Sequence, residues 1–395
     1  MTGLPIAIAG AGIGGLAAAL CLTRAGKRVV LLERAHFIEE VGAGLQIAPN
    51  AGRALAALGL EPVLAEVWLE PAAINVRRGK DGAVLARLAL DDARERWGAP
   101  FRVFHRADLQ QALLAAARAH ETVDIRTGAR VGDFEEESGV VHLRVHTDAG
   151  MEDVEAAGLV GADGVRSSVR AHLFRSEKDA PVYSGHTAWR AIIPAGLAPA
   201  ALRLRETHLW LMRGAHVVHY PLRDASILSA VVILEDRVAR PVANAALSLD
   251  GPSLARMVGL ARLAPQLRDL IEAGASWRHW PLFARPALPL WSKGAVTLLG
   301  DAAHPMLPFL AQGAAQAIED AEALGYALAR FGSTPASAFV EYERARNPRA
   351  TQVQSASRRQ GAYFHMGGLG AAARDLAIAA LGGRGMLARN AWIYR

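Results

Sequence analysis

The chain has 395 residues, of which 52% are hydrophobic and 21% charged, a composition typical of a folded globular protein and not of a disordered one. Its length favours two domains, or one nucleotide-binding domain with a large insertion. The net charge of +6 comes mostly from scattered arginines without a basic run, which predicts a mild attraction for anionic ligands and argues against a nucleic-acid groove.

Cysteine usage and the N-terminal segment bear on the compartment. Cys21 is the only cysteine, which excludes a disulfide framework and a cysteine-based metal site within one chain, so a reducing, cytoplasmic location is expected. Residues 4–22 carry no charge and are apolar enough to mimic a membrane span or a signal peptide. No basic region precedes them, and their glycines and alternating Ile-Ala pairs favour a strand, a turn and a helix, so we expect no membrane span.

The N-terminal elements form a βαβ unit. Residues 4–9 are predicted to be a buried strand, followed by a glycine-rich turn, a helix to about Arg24, a stop at Gly26 and a second strand at 28–32. A unit of this kind is the minimum crossover between two parallel strands. The chain is therefore expected to contain a parallel sheet.

The turn of this unit carries the first motif, since residues 10–15 read Gly-Ala-Gly-Ile-Gly-Gly. Gly10 permits the tight turn, Gly12 lets the backbone approach a pyrophosphate, and Gly15 lets the helix pack closely on the strand. Amides at the helix N-terminus would hold the phosphates. Glu33 ends the second strand, where its carboxylate can accept hydrogen bonds from ribose hydroxyls. The pattern predicts dinucleotide binding without separating FAD from NAD.

The remaining elements suggest a second domain inserted into the first. A helix is predicted at 107–119, and strands at 140–147 and 154–160. From about 182 to 280 the pattern changes to antiparallel strands, followed by a helix around 253–271. The α/β pattern then returns, and the chain ends in helices. The predicted strands of the middle block are 208–212, 216–220 and 226–233, and the later elements are a strand at 296–299 and a helix from 313 to 331.

The second motif begins with Gly-Asp-Ala-Ala-His-Pro at 300–305 and runs to Gln312-Gly313 and Glu319-Asp320. Asp301 directly follows a buried strand, so it is expected at the carboxyl edge of the sheet, where ligands bind, and it could hydrogen-bond the ribityl hydroxyls of a flavin. Gly313 and Ala314 would open a helix whose free amides favour the negative charge of a reduced flavin. Pro308 would stiffen the loop beside the ring. The alternative is an N-cap aspartate with a proline turn.

The third motif, at 161–170, reads Gly-Ala-Asp-Gly-Val-Arg-Ser-Ser-Val-Arg. A strand leads into a tight Asp-Gly turn and then a helix. Taken singly, Asp163 fits a hairpin or a helix cap as well as a ligand site.

These three motifs in this order, roughly 150 and 140 residues apart, resemble the flavoprotein aromatic hydroxylases, the family of para-hydroxybenzoate hydroxylase and salicylate hydroxylase. The resemblance implies that the first motif binds the ADP half of FAD, that the Asp-Gly motif contributes to the cofactor and nicotinamide region, and that the Gly-Asp motif holds the ribityl chain and flavin. It also implies that Arg106 lies against FAD and that Val131 touches the adenine. The cofactor-binding residues it implies are Gly10, Gly12, Gly14, Gly15, Glu33, Arg34, Arg106, Val131, Asp163, Asp301, Pro308, Gly313 and Ala314.

The same resemblance implies the fold class. It is α/β, with a Rossmann-like FAD-binding domain, an inserted β-sheet substrate domain and C-terminal helices, as in para-hydroxybenzoate hydroxylase. The implied FAD-binding domain is discontinuous and comprises residues 1–72, 98–178 and 282–350, the substrate domain 73–97 and 179–281, and the C-terminal helical segment 351–395.

A finer resemblance concerns the substrate. Residues 42–50 and 216–221 resemble the branch of 3-hydroxybenzoate 6-hydroxylase and 6-hydroxynicotinate 3-monooxygenase, in which a His and a Tyr at this spacing flank the substrate. On a strand His216 and Tyr220 share one face and His219 lies on the other. A phenol with a pKa of about 10 becomes a better nucleophile when deprotonated, and a His/Tyr pair can accept or relay that proton. By the same resemblance Gln46 lies near flavin and substrate, and glutamine there favours a hydroxybenzoate over a hydroxynicotinate.

His304 and Arg190 are further candidates for the site. His304 is expected close to the flavin or in its loop's own hydrogen bonding, and Arg190 is expected on the surface or in a structural role, although it could attract a substrate carboxylate. No metal site is predicted, because His216 and His219 would diverge and the chain has no HExxH sequence.

The implied activity is hydroxylation of a small phenolic or hydroxy-heteroaromatic acid, with NADH or NADPH as reductant and O₂ as oxidant, by way of a flavin C4a-hydroperoxide. The protein is expected to be a monomer or homodimer that binds no nucleic acid. One alternative is the same oxygen chemistry on an alkene or a larger natural product. Another is a flavoprotein without oxygenase turnover, or an NAD-dependent dehydrogenase, which the second and third motifs disfavour.

Overall fold

The computed structural model describes residues 3–38, 44–175, 179–236, 247–331 and 334–395. Gly42 and Ala43, which belong to the segment that resembles the hydroxybenzoate branch, lie outside these ranges. Within the described ranges, none of the helices combines the length and the apolar character needed to cross a membrane.

The elements follow one another along the whole described chain. The strands are β1 (Ile6–Ala9), β2 (Val29–Glu33), β3 (Gly44–Ile47), β4 (Trp68–Leu69), β5 (Ala73–Arg78), β6 (Val84–Ala89), β7 (Arg102–His105), β8 (Val123–Thr127), β9 (Arg130–Glu137), β10 (Val140–Thr147), β11 (Gly150–Ala156), β12 (Gly158–Gly161), β13 (Val182–Pro194), β14 (Thr207–Met212), β15 (Ala215–Leu222), β16 (Ile227–Glu235), β17 (Ser248–Leu249), β18 (Trp277–Ala284), β19 (Ser292–Lys293) and β20 (Val296–Leu298). The helices are α1 (Ile13–Arg24), α2 (Pro49–Ala57), α3 (Glu61–Leu64), α4 (Ala93–Trp97), α5 (Arg106–Arg118), α6 (Ser168–Phe174), α7 (Gly251–Val258), α8 (Pro265–Glu272), α9 (Gly313–Arg330), α10 (Pro335–Phe364) and α11 (Gly368–Tyr394).

A six-stranded sheet in the order β19-β20-β12-β1-β2-β8 forms the nucleotide-binding half of the molecule. Its strands are parallel except for the β19–β20 pair. The strands β1, β12 and β20 are buried along their whole length because helices cover the sheet, as their uninterrupted apolar sequences require. The predicted βαβ unit is confirmed, and it places the carboxyl ends of β1, β12 and β20 side by side.

An eight-stranded sheet in the order β17-β18-β13-β16-β15-β14-β5-β6 forms the other half. All its neighbouring strands are antiparallel except β14 and β5. The helices α7 and α8 pack their apolar sides on one face, where Leu254, Leu267 and Trp277 are fully buried. The other face is turned to the nucleotide-binding half, so the two sheets enclose the space between them.

Two predicted elements were wrong in their limits. The predicted strand at 154–160 is two strands, because the chain leaves the three-stranded sheet β11-β10-β9 at Ala156 and enters the parallel sheet at Gly158. The predicted helix at 253–271 is also two helices, since Gly259 has φ +101° and Pro265 opens the next helix. The strands predicted in the middle block and the helix predicted from 313 are confirmed.

The domain limits remain a prediction, but the strands bear on them. Strands β5 and β6, from residues 73–89, join the eight-stranded sheet, which otherwise takes its strands from residues 182–284. The limit placed between residues 350 and 351 falls inside α10, a helix of 30 residues.

Candidate functional site

The glycine-rich turn after β1 has the geometry that its sequence predicts. Gly10 has φ +105°, and a Cβ there would lie 2.5 Å from the carbonyl oxygen of Ala162. A Cβ on Gly15 would lie 1.9 Å from the carbonyl oxygen of Gly10, so the start of α1 can rest on the turn only if this residue is glycine. A Cβ on Gly12 would meet nothing within 4 Å, so the space in front of this residue is open.

This contrast predicts opposite outcomes for two substitutions of the turn. Gly15→Ala is expected to lower the free energy of unfolding of the apoprotein by about 1–3 kcal/mol or more, because the methyl group overlaps backbone. Gly12→Ala is expected to leave that stability within about 0.5 kcal/mol and to weaken FAD binding roughly tenfold, since the methyl group occupies ligand space. Urea unfolding of the apoproteins and FAD titration by flavin fluorescence measure both. Equal loss of apoprotein stability in the two variants would contradict this assignment.

Glu33 shapes the loop that follows β2. Its Oε2 accepts a hydrogen bond from the backbone N–H of Ala11 at 2.7 Å, and its Oε1 accepts one from Ala35 at 2.9 Å. Gln110 donates to the carbonyl of Ala11 at 3.2 Å. A crevice of about 390 Å³ opens here, lined by Ala11, Gly12, Glu33, Ala35, Phe37, Ile38, Arg106, Gln110, Arg190 and Trp280. The carboxylate thus lies at a crevice beside the glycine turn.

Five predicted cofactor residues line neither cavity: Gly10 and Gly15 form the turn behind the crevice, Asp163 is described below, and the other two are Arg34 and Val131. Arg34 is exposed directly after β2, and Val131 is buried in β9 within the core of the nucleotide-binding half. Neither lines the crevice at Glu33 or the central cavity described below. The strand of Val131 does begin next to Glu33, because the N–H of Ala129 donates to the Glu33 carbonyl at 2.8 Å.

Asp163 caps a helix. Its Oδ2 accepts hydrogen bonds from the backbone N–H groups of Ser168 at 2.7 Å and Val169 at 3.2 Å, at the start of α6. The N-cap residue itself is Ser167, whose side chain accepts from the N–H of Arg170, so the motif caps α6 as one of its interpretations predicts. Its Oδ1 is buried and has no hydrogen-bond partner among the described residues. The neighbours Ala162 and Gly164 line the central cavity, so a polar ligand is compatible with this oxygen.

Asp301 follows β20 and lines the central cavity, which is described below. Although its side chain is accessible there, protein surrounds it closely enough that desolvation raises the pKa of the carboxyl, opposed by His304 and Arg106. Burial and the neighbouring Arg190 in turn lower the pKa of Arg106, against the effect of Asp301. An aspartate and an arginine that interact electrostatically thus line the same cavity, and the aspartate lies where β20 ends.

A buried ionic network fixes the loop that carries Asp301. Asp320 on α9 accepts hydrogen bonds from the N–H of Gly300 at 3.0 Å, from His304 Nε2 at 2.5 Å and from Arg346 Nε at 2.7 Å. Burial alone would raise the pKa of Asp320, but His304 and Arg346 outweigh burial and lower it to about 2. Glu319 accepts from Arg346 on the other side. His304 therefore takes part in the hydrogen bonds that hold its own loop, which is the second of the two roles expected for it.

A second buried arginine ties the same loop to the third motif. Arg170 donates to the carbonyls of Ala302 and Ala303 at 3.1 and 2.9 Å, and it pairs with Asp179. Arg285 pairs with the same Asp179 at 2.7 Å. One side chain, Arg170, therefore holds the second motif against the third.

The central cavity, of about 290 Å³, lies between the parallel sheet and the open face of the eight-stranded sheet. Ten of the predicted residues line it: Gly12, Gly14, Gln46, Arg106, His216, Tyr220, Asp301, Pro308, Gly313 and Ala314. Residues that were not predicted complete the wall, among them Leu45, Arg190, Val218, Val231, Ile233 and Met306. The cavity joins the flavin-type motifs to the substrate-facing strands.

His216 and Tyr220 lie on the cavity face of β15, as their spacing predicts. Tyr220 is 3% exposed, and burial raises the pKa of its hydroxyl to about 12, although Ser229 and Arg190 oppose this shift. His216 is 1% exposed, and burial, His365 and His186 hold its pKa well below the usual value. At neutral pH the tyrosine is therefore a hydrogen-bond donor and the histidine is a neutral base.

Arg190 corrects an expectation, because it lines the cavity and forms no ion pair with any of the described residues. It lies on β13 opposite Val231, which in turn lies opposite Val218 on β15. Its Nε is buried without a hydrogen-bond partner among the described residues, and its guanidinium lies 5.7 Å from the ring centre of Trp280. Desolvation lowers its pKa. A buried cation in this position favours an anion in the cavity.

The histidines of β15 point as predicted, to opposite faces. His219 stacks on His208 with ring centres 4.6 Å apart, under the sheet and away from the cavity. On the cavity side His216 Nδ1 lies 2.8 Å from Nε2 of His365, which follows α10. One ring nitrogen of His365, one ring nitrogen of His186 and one carboxylate oxygen of Glu235 lie within 4.8 Å of one another. The sequence could not bring these residues together because each comes from a different element.

The residues present fit an FAD molecule. The glycine turn leaves open space at Gly12, the Asp163 Oδ1 lacks a partner among the described residues, and Asp301 is desolvated but accessible in a cavity. The N-terminal amides of α9 at Gly313 and Ala314 border the same cavity. Gln46, from β3, borders the same cavity. Fold and site define a flavoprotein with a sheet-based substrate domain facing a Rossmann-like FAD-binding domain.

Comparisons with known proteins give the family. The profile of the FAD binding domain family matches residues 4–357. The chain is 39% identical over 369 residues to 3-hydroxybenzoate 6-hydroxylase 1 of Aquipseudomonas alcaligenes, covering 93% of this chain and 91% of that one. It is 36% identical to 6-hydroxynicotinate 3-monooxygenase of Bordetella bronchiseptica, over 90% and 91% of the two chains. A solved salicylate hydroxylase substrate complex superposes with a TM-score of 0.81 at 25% identity, over 100% of this chain and 95% of that one.

The chain belongs to the FAD binding domain family and is an FAD-dependent aromatic-ring monooxygenase that takes its electrons from NADH or NADPH. The predicted resemblance, fold class, cofactor and kind of activity are thereby confirmed.

Proposed function

We propose that the enzyme hydroxylates a small aromatic acid that carries a ring hydroxyl, of the hydroxybenzoate or salicylate type. The observation that supports this most is the composition of the central cavity. Its apolar wall of Leu45, Val218 and Ile233 suits an aromatic ring, Arg190 suits a carboxylate, and the His216–Tyr220 pair suits a phenolic hydroxyl. Relatives that share more than a third of their residues with this chain carry hydroxybenzoate and hydroxynicotinate in their names.

FAD, when bound, supplies the activation of O₂ and the transfer of one oxygen atom to the ring. The residues proposed to hold it are those predicted from the three motifs, with Asp301 and Arg106 on the ribityl and flavin side and the glycine turn with Glu33 on the ADP side. Gln46 and the segment from Pro308 to Ala314 shape the wall of the cavity on the flavin side. The roles of Arg34 and Val131 rest on the resemblance alone.

The protein's own contribution is to make the ring electron-rich and to keep water out. His216, neutral and buried, takes the proton of the phenolic hydroxyl at its second ring nitrogen. Tyr220 stays protonated, since its pKa is raised to about 12, and donates a hydrogen bond to the resulting phenolate. The Tyr220 hydroxyl is oriented by Ser229, whose Oγ accepts the N–H of Gly44 at 3.0 Å.

A small substrate fits better than a bulky natural product. The cavity of about 290 Å³ must accommodate the reactive end of the cofactor together with the substrate. The wall near Tyr220 is closely packed, because a Cβ on Gly44 would lie 2.6 Å from the Tyr220 ring.

The test follows NADH and O₂ consumption by the FAD-loaded enzyme with salicylate, 3- and 4-hydroxybenzoate and 6-hydroxynicotinate, with products identified by mass. At least one compound is expected to accelerate NADH oxidation and to gain one oxygen atom. Benzoate, which has the carboxylate but no hydroxyl, is the matched control and is expected to bind without gaining oxygen. A panel in which no compound gains oxygen, although FAD is bound, would contradict the proposed substrate class.

A further inference from the structure

One buried contact has no part in the function proposed so far. His216 Nδ1 lies 2.8 Å from His365 Nε2, and His365 Nδ1 lies 3.3 Å from Glu235 Oε1. His216 borders the central cavity, whereas the Glu235 side chain is 55% exposed. The three side chains thus form a continuous line from the substrate cavity to the protein surface.

We propose that this line, His216–His365–Glu235, is a proton relay that carries the proton of the phenolic substrate from the cavity to solvent. The proposal rests on the proposed function, because it requires a substrate with an ionisable hydroxyl.

The direction of the hydrogen bonds follows from the acceptor at the surface. His365 Nδ1 lies at ion-pair distance from Glu235 and has no hydrogen-bond partner among the described residues. Because a carboxylate can only accept, Glu235 favours the tautomer of neutral His365 that carries its proton on Nδ1. The Nε2 of His365 is then an acceptor, and it places the proton of His216 on Nδ1. The Nε2 of His216 is left with a lone pair for the substrate. The exposed Glu235 therefore acts through His365 to favour the tautomer in which Nε2 of His216 is a base.

The relay also answers an energetic difficulty. A fully buried imidazolium at His216 would be costly, and burial together with His365 and His186 holds its pKa far below neutral. The pKa of His365 is lowered to about 4, by burial, His186 and Arg374, while Glu235 acts in the opposite sense. Both imidazoles are thus neutral at neutral pH, and a concerted shift never leaves a positive charge on either ring.

The proton count balances in one shift. The substrate O–H proton goes to His216 Nε2, the His216 Nδ1 proton goes to His365 Nε2, and the His365 Nδ1 proton goes to Glu235, which releases it to water. The substrate becomes a phenolate, and both imidazoles end neutral in the opposite tautomer. The reverse shift, when the product leaves as a phenol, restores the first tautomers.

The local structure holds the relay in register. The N–H of Gly214, in the turn before β15, donates to the His365 carbonyl at 3.0 Å. Phe309 and Phe364 pack against the His216 ring, with centres 5.5 and 5.2 Å away, and exclude water from it. The charged or titratable groups around His365 are His216, His186, Glu235 and Arg374.

The test compares the holoenzymes of wild type, His365→Gln and Glu235→Gln, with His186→Gln as the matched control. Glutamine at 365 can accept the His216 hydrogen bond but cannot pass a proton. Two substrates are used, a phenolic acid that is neutral at its hydroxyl at pH 7 and its nitro derivative, whose hydroxyl is already ionised. FAD content is measured for each variant.

With the neutral phenol, His365→Gln is expected to lower kcat roughly 10- to 100-fold and Glu235→Gln roughly severalfold, and the rate of His365→Gln should recover as the pH rises and the free phenol ionises. With the ionised phenol, both variants should match wild type within about twofold. His186→Gln should match wild type within the same limit with either substrate.

Equal losses of activity in His365→Gln on both phenols would assign His365 a structural role and overturn the relay. Wild-type activity of His365→Gln on the neutral phenol would overturn it as well. If His365→Gln does not fold, Glu235→Gln, altered at an exposed position, decides by the same comparison. A wild-type enzyme that hydroxylates neither phenol would overturn the proposed function, and the relay with it.

Discussion

Replacing Arg190 with glutamine is expected to raise the KM for a carboxylated phenol roughly 100-fold, which corresponds to the loss of about 3 kcal/mol when one partner of a buried charge pair is truncated. Arg190 is a cavity cation that lies beside the substrate-facing strands, and its Nε has no hydrogen-bond partner among the described residues, so the carboxylate of the substrate is its expected partner. For a phenol without a carboxylate, the KM should change little. Lysine at this position keeps the charge but loses the planar fork, and about a tenfold increase in KM is expected.

The control is the exposed Arg278, which lies opposite Arg190 in the register of β13 and β18 but does not line the cavity. Arg278→Gln should leave KM unchanged within about twofold. This result would distinguish a direct contact between Arg190 and the substrate carboxylate from the general attraction of a basic protein for anions. The measurements are steady-state kinetics with both phenols and flavin absorbance as a report of cofactor content. If Arg190→Gln lowered FAD content and impaired both phenols equally, the arginine would belong to the cofactor and not to the substrate.

Arg190 also shows where sequence reasoning stops. The three motifs could be recognised because their geometry is local: a tight turn, a helix start and a strand end lie within about ten residues. Glycine at 15 is required by a contact with Gly10 inside the same turn, whereas glycine at 10 is required by a contact with Ala162 of the third motif. His216 and Tyr220 were identified through the resemblance to the hydroxybenzoate branch, and the alternation of faces along a strand only added that they share one side. Arg190 lies on a different strand of the same sheet, and only the pairing of β13 with β16 and of β16 with β15 brings it into their row.

The supports of the site were harder still to predict. His365 follows a helix of 30 residues and meets His216 across 149 positions of sequence, so no spacing rule applies to the pair. Asp320 and Arg346 read as ordinary charges on the helices α9 and α10, and their burial depends on how those helices pack. Asp163 was left open between a cap and a ligand site, and its two carboxylate oxygens differ, since one caps α6 and the other has no partner among the described residues.

The second large effect is expected from Asp320→Ala, which should lower the free energy of unfolding by about 3–5 kcal/mol, because it leaves the buried Arg346 without one of its two carboxylate partners. It also removes the acceptor for the N–H of Gly300, so the loop of Asp301 should loosen and the affinity for FAD should fall. Urea unfolding of the apoprotein and FAD titration measure the two effects. The matched control is Glu341→Ala, in a surface pair with Arg344 on α10, with an expected change of about 0–1 kcal/mol.

The double variant Asp320→Ala/Arg346→Met identifies the cause of that loss. If the loss comes from an uncompensated buried charge, removing Arg346 as well should recover part of it, and a double variant no more stable than Asp320→Ala would contradict this explanation. The pH dependence gives an independent check. The pKa of Asp320 is lowered to about 2 in the folded protein, against about 4 in the unfolded chain, so its contribution to stability is complete above about pH 4 and is lost as the pH falls towards 2. The difference in unfolding free energy between wild type and Asp320→Ala should therefore be constant from about pH 5 upward and shrink below pH 4, whereas a loss due to packing alone would not change with pH.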